Sequence, residues 1–491
     1  MSLSRKIAKN TMIQMVGKII STVLGLFSLG LITRYLGQEG YGEYTTVIAF
    51  LTIFAVIADF GLTLVTVQMI SGLKEKEKEE RILNNLFSFR LVSIILLLLI
   101  SPLFLFFLPY SAAVKWGVLI TAPYFIFPAL TQIIIGLLQK KLSMDRAALA
   151  EVISRIVLIV GIFLVLRLNL GLKGILIATV ISGGSSFLFH YLFARSFAKL
   201  RLAWDWDLWK KIISLSWPLA VTIVLNLIYL RADIIFLSLF KGSGEVGLYG
   251  AAYRVVDVLT TLPFMFAGLI LPILTSAWLE DKKEYFQKIL QKSFDFMAIL
   301  ALPLIVGGQF LAEPVMVVVA GQDFKDSGPI LGLLIIAVAA IFLGTIFSHA
   351  VVAINKQKKL IVYYAFTSLT SLAAYFILIP RFSYFGAAAV TIYSETLIAI
   401  FSAYCIFKYS RSLPKLNIFL KSLLASLIMG IFLYFYPNYY QIGAIKLIIT
   451  IALASGIYFL FLFILGGIRP EDLKVIIKKS SSGQPYGSSG L

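Results

Sequence analysis

The chain has 491 residues, 60% hydrophobic and only 14% charged, a balance that excludes a soluble globular protein of ordinary composition. Its formal net charge of +19 would suggest nucleic-acid binding if the cations formed one patch. They are instead spread in short clusters between apolar runs, which excludes that class and makes them signals of topology. Cys405, the single cysteine, leaves no disulfide framework and no thiolate metal site.

Apolar runs of about 20 residues recur from end to end, each long enough to cross a bilayer core of about 30 Å as a helix. Alternating strand patterns of the barrel kind are absent, so the spans are helices whose backbone groups bond within the segment. The sequence predicts an all-α integral membrane protein with about 14 spans. In order these are 12–36, 42–70, 82–108, 116–138, 147–166, 172–193, 212–240, 246–277, 294–320, 329–354, 360–379, 385–407, 418–436 and 442–465. Arg5, Lys6 and Lys9 precede the first run, and no small-residue cleavage site follows it, so it reads as a retained helix rather than a signal peptide. The tail from Ser480 is low in complexity and is expected to be disordered.

With the N-terminus in the cytoplasm, the even-numbered connections are cytoplasmic, and about 29 of the 43 Lys and Arg fall inside, as the positive-inside rule requires. Both termini are then cytoplasmic. Trp116, Trp204, Trp206, Trp209 and Trp278 lie at or beside span ends, the headgroup level that Trp prefers. The run 74–81, KEKEKEER, reads as a solvated connection of mixed sign.

The chain carries a long-range repeat. A Gly-rich turn between apolar runs, with Gly37, Gly40, Gly42 and Tyr44, returns at 239–255, where Gly247 matches Gly42 and Tyr249 matches Tyr44 at one offset. Gly174, Thr179 and Ser182 likewise align with Gly386, Thr391 and Ser394. Each copy covers six spans, an even number, so both enter the membrane in the same sense: a parallel repeat, as in transporters that bind substrate near mid-depth. The expected domains are a six-helix bundle at 1–200, a second at 201–410, two additional spans within 411–467, and a cytoplasmic tail at 468–491.

Prolines 123, 128, 218, 263, 272 and 303 fall inside spans. Each can kink its helix and free carbonyls toward a cavity, although proline is also simply commoner in membrane helices. Ionisable side chains at depth are costlier, about 2.5 to 3.5 kcal/mol on insertion scales. The cations are Lys18, Arg90, Arg155, Arg231 and Arg254; the acids are Asp59, Asp233, Asp257 and Glu395. Arg254 and Asp257, three apart, could neutralise one another, and Lys18 and Arg90 are shallow enough to snorkel. Asp59 and Glu395 have no neighbour of opposite sign on their own helix and could instead make interhelical hydrogen bonds. His190 and His349 have no second ligand at metal spacing and read as packing residues. No phosphate loop, nucleotide fingerprint or nucleophile motif is present.

At GQEGYGEY (37–44), DFGL (59–62), RADIIFLSLFKGSGEVGLYGAAYRV (231–255) and FGAAAVTIYSE (385–395), the chain resembles polysaccharide biosynthesis flippases of the Wzx kind. Their superfamily also holds the lipid II flippases and the multidrug and toxin extruders. The resemblance covers about the first 12 spans. It implies two six-helix bundles, a cavity opening alternately to either side, no enzymatic activity and no cofactor. The implied substrate is a polyprenyl-pyrophosphate-linked oligosaccharide, moved between leaflets of the cell membrane. The family's cationic cavity carries over to Lys18, Arg90, Arg155, Arg231 and Arg254 as substrate-binding residues. Asp59, Asp233, Asp257 and Glu395 make that cavity less purely basic and leave room for coupling to protons or sodium. A cation-coupled multidrug exporter and a lipid II flippase are the alternatives within the same superfamily.

Overall fold

The computed structural model describes residues 3–71, 75–411, 413–436 and 443–468, with no strand among them. The expected disordered tail lies outside the described residues. Eleven described helices are long and apolar enough to cross a membrane. The chain divides into two units, Met1–Gly250 and Ala251–Leu491.

The first unit holds α1 (Leu3–Asp59), α2 (Leu62–Ser71), α3 (Lys76–Phe107), α4 (Ala112–Lys140), α5 (Met144–Leu168), α6 (Gly171–Ala194), α7 (Trp206–Phe240) and the start of α8 (Ser243–Leu279). α1 runs through the first two expected spans and breaks at Gly37, whose φ of 64° and ψ of −173° lie where only glycine sits without strain. The second expected span, 42–70, is itself interrupted: Phe60 and Gly61 take positive φ and separate α1 from α2. Pro123 and Pro128 lie inside α4, which stays one helix past both.

Two of the connections between helices in this unit are fastened by side chains. Glu79, expected in a solvated run, is buried and holds Lys140 at 2.5 Å and Lys141 at 3.0 Å. The segment between α6 and α7 lies along α3. Glu80, Asn84 and Ser88, one turn apart, accept from the backbone N–H of Lys199, Arg201 and Ala203 at 3.3, 2.9 and 2.8 Å. A helix period of four residues thus meets an extended period of two. Arg81 closes this strap on Asp205, at 2.5 Å.

The two Gly-rich turns touch. A Cβ on Gly42 would strike the Ser243 carbonyl, and one on Gly247 would strike the Gln38 carbonyl. Gln38 and Ser243 are related by the offset that relates Gly42 to Gly247, so the contact is reciprocal. A Cβ on Gly250 would lie 2.6 Å from Thr45 Cγ2, again its own equivalent. Glycine at these positions lets two backbones meet where any side chain would hold them apart.

The second unit holds the rest of α8, α9 (Lys283–Ala320), α10 (Ser327–Ala353), α11 (Gln357–Ser410), α12 (Asn417–Phe435) and α13 (Ala444–Ile464). α10 is its core helix: 72% of its most apolar window is buried, against 44% or less in the other ten of those eleven described helices. α11 joins the eleventh and twelfth expected spans across a break at Ser383, φ 53° and ψ −133°. α12 and α13 pack on α9 around Leu311, Met429 and Tyr458, and the Tyr458 hydroxyl donates to the Ile299 carbonyl at 2.8 Å. That bond follows the rule that polar groups in lipid find partners on neighbouring helices.

Candidate functional site

Lys18 on α1 and Arg155 on α5 both lie along the contact between those two helices. Lys18 Nζ donates to Glu151 Oε1 at 3.3 Å, and Arg155 lies one turn further along α5 on the same face. Two turns past Lys18, α1 places Gly25, where a Cβ would be 4.0 Å from the Arg155 guanidinium carbon. The missing side chain leaves Arg155 room. Between them Ser21 is buried, and its hydroxyl has no partner among the described residues. Arg155 is half-buried and has no ion-pair partner among the described residues. α5 is held in register on α6 by a reciprocal serine pair: Ser154 Oγ donates to the Ser182 carbonyl at 3.0 Å, and Ser182 Oγ to the Ser154 carbonyl at 2.9 Å. His190 on α6, within electrostatic reach of Glu151, has Nδ1 2.8 Å from the Ser186 carbonyl. His349 likewise sits 2.8 Å from the carbonyl of Thr345 on its own helix.

Glu151 was not among the expected site residues. The available signal was local: a lone carboxylate inside the apolar run ALAEVISR, four residues before an arginine.

Arg90 and Asp59 pair. The Arg90 guanidinium donates to Asp59 Oδ1 and, at 3.1 Å, to Thr63 Oγ1, while Thr63 donates to the same Asp59 oxygen at 2.6 Å. Arg90 is 4% exposed in its side chain and Asp59 20%. The pair therefore joins α3 to the junction of α1 and α2 rather than presenting a bare cation. Asp233 is fully buried on α7 and accepts from the Tyr249 hydroxyl at 2.6 Å. Arg231, two residues before it, is half-buried.

In the second unit, Arg254 lies 3.7 Å from Asp257 in the same-face pairing that their spacing allowed, with 48% of its side chain exposed. Glu395 is 8% exposed, and its Oε1 has no hydrogen-bond partner among the described residues. The two arms of α11 run antiparallel: the Tyr393 hydroxyl donates to Thr370 Oγ1 at 3.0 Å, and the Tyr363 and Phe401 rings stack 4.6 Å apart. That register sets Glu395 level with Ser368. Thr367 and Ser371, on either side of that level, carry buried hydroxyls that also lack partners among the described residues, and Tyr364 is within electrostatic reach.

A cavity of about 350 Å³ in the first unit is lined by Val56, Ile57, Phe60, Trp217, Ala220, Val224 and Leu225. All are apolar, so none of the nominated charged groups faces it.

Helices of this length and apolarity, with cations and acids retained at depth, define a multi-pass protein of the cell membrane. Its fold matches the solved structure titled "Lipid II flippase MurJ, inward closed conformation", with a TM-score of 0.76, 19% identity, and coverage of 96% of this chain and 100% of that one. Among curated proteins it is 24% identical to the "Putative O-antigen transporter" of Shigella flexneri over 402 residues, 78% of this chain and 93% of that protein. It is also 24% identical over 268 residues to the "Probable flippase AglR" of Haloferax volcanii, 51% of this chain and 54% of that protein. Residues 7–278 match the family described as "Polysaccharide biosynthesis protein", and the chain belongs to that family.

Proposed function

We propose that the protein is a flippase that moves a polyprenyl-pyrophosphate-linked oligosaccharide repeat unit from the cytoplasmic to the outer leaflet, for cell-surface polysaccharide synthesis. The observation that carries this reading is Arg155: a guanidinium at membrane depth with no ion-pair partner among the described residues, one turn along α5 from Glu151, which holds a second cation, Lys18. A bare pyrophosphate in hydrocarbon costs several kcal/mol per charge, and a guanidinium can grip two of its oxygens at once. The prenyl tail has no such need and stays in lipid. The family membership and the names of the curated relatives support the same substrate class.

Transport proceeds by alternating access through a cationic central cavity, in which Arg231 and the half-exposed Arg254 are further headgroup contacts. Arg90, neutralised by Asp59, holds helices together instead. The reciprocal contact of the two Gly-rich turns supports the parallel repeat of six-helix bundles. The breaks at Gly37 and Ser383 support reading α1 and α11 as two spans each, for 14 in all. Both termini face the cytoplasm. An inside-negative potential drives the anion outward by about 2.3 kcal/mol per charge per 100 mV. Glu395 is the acid best suited to add proton or sodium coupling, because Asp59, Asp233 and Asp257 all have partners.

Glu395 among unpartnered hydroxyls is also the one feature that favours a cation-coupled exporter of organic cations. Expression in a strain lacking its own repeat-unit flippase separates the two readings. Restored surface glycan, lost with Arg155→Ala while the variant still inserts, is the expected result. Drug resistance without glycan export, abolished by Glu395→Gln, supports the exporter.

A further inference from the structure

Glu151 sits where an anionic headgroup would have to go. It occupies Lys18 at 3.3 Å and lies one turn from Arg155 on the same face of α5, so an anion bridging Lys18 and Arg155 must displace it. We infer that Glu151 is an internal counter-anion that holds Lys18 in the empty transporter, yields it to the arriving pyrophosphate and reclaims it on release. The inference rests on the flippase reading and adds a residue that sets how tightly the headgroup is held.

Three elements face the carboxylate. α1 supplies Lys18, α6 supplies His190, and α5 itself supplies Arg155 one turn away. Two cations and one carboxylate leave the cluster with a net positive charge, before any contribution from His190. Such a cluster attracts a pyrophosphate, and the carboxylate keeps it from being a trap. Without Glu151, departure of the substrate would leave Lys18 bare in a low-dielectric site, which is costly. With it, each departure is coupled to re-forming the Lys18–Glu151 pair. Transport needs a site that binds well enough to load and weakly enough to unload, and a resident competitor supplies that balance. The pair is not enclosed by protein, with 44% of the Lys18 side chain and 35% of the Glu151 side chain exposed, so exchange does not require dismantling a buried core. Glu151 is thus a positioning residue that acts through Lys18.

A purely structural ion pair between α1 and α5 makes the opposite prediction for affinity, and this separates the two roles. Inorganic pyrophosphate is titrated against the purified full-length protein and its variants in detergent, and export of the surface glycan is measured in cells carrying the same variants. Glu151→Gln should bind pyrophosphate about three- to fivefold more tightly than the parent, the size expected for removing one partly exposed competing charge, while export slows. Glu151→Asp, which keeps the charge, should stay near the parent in affinity. Adding Lys18→Gln to Glu151→Gln should erase the gain. Equal or weaker binding by a folded Glu151→Gln, or a gain that survives Lys18→Gln, overturns the counter-anion role. If the parent itself binds no pyrophosphate, the flippase reading fails first and this inference goes with it.

Discussion

Substituting either member of the Asp59–Arg90 pair is the most informative perturbation of the first unit, because pair and site make different predictions. Arg90 is 4% exposed and Asp59 20%, and Thr63 bonds to both. Removing one partner strands the other charge and leaves Thr63 with half its bonds, a loss of about 3 to 5 kcal/mol. Replacing both by uncharged groups of similar size removes the desolvation penalty along with the attraction, and is expected to be nearly neutral. Asp59→Asn and Arg90→Gln should therefore each lower the apparent Tm of the detergent-solubilised protein. The double variant should recover most of the loss, so that the two single losses together exceed that of the double by about 4 kcal/mol or more. Glycan export should recover with it, because the pair holds α3 to α1 and grips no substrate. Additive losses, or an export defect in a double variant whose stability has returned, would refute this reasoning and restore Arg90 as a substrate contact.

Gly42→Val should separate the two Gly-rich turns, since its Cβ has no space beside the Ser243 carbonyl; a Gln38→Cys/Ser243→Cys cross-link that forms in the parent should be lost in that variant, and undiminished cross-linking contradicts the contact. The Asp205 carboxyl is held below the usual carboxylate range, first by its bond to Arg81 and then by the Leu208 N–H. A depressed folded pKa stabilises above the unfolded value, near 3.9, and that contribution is lost as pH falls through the folded value. Asp205→Asn should therefore flatten the acid limb of the stability profile, while an unchanged limb would show that the clasp contributes nothing. Glu395→Gln should leave insertion intact and remove the dependence of export on the ion gradient; retained dependence excludes Glu395 as the coupling group.

What the sequence revealed depended on how local each signal was. Helix positions were plain, because runs of about 20 apolar residues admit one structure in lipid, and α3 to α10, α12 and α13 each coincide with one expected span. The positive-φ break at Phe60 and Gly61 was not visible, since DFGL sits inside an unbroken apolar run and one glycine there has several readings. The Arg254–Asp257 pairing was foreseeable because both residues share a helix face. The Arg90–Asp59 and Lys18–Glu151 pairs join residues 31 and 133 positions apart, and no periodicity within one helix reports on its neighbour. Asp59 looked solitary for that reason. The match of Gly42 with Gly247 revealed a repeat but not that the matched residues meet, a consequence of packing that depends on both backbones.

The central claim is that the positive charges of Arg155 on α5 and Lys18 on α1 carry a pyrophosphate headgroup across the membrane, and reconstitution tests it directly. Purified protein in liposomes, supplied with a fluorescent polyprenyl-pyrophosphate sugar in one leaflet, should expose it in the other at a rate that Arg155→Ala lowers at least about tenfold, the loss of a charge-assisted pair, while the fold is retained. Movement at the parent rate by Arg155→Ala, or none by the parent protein, would contradict it.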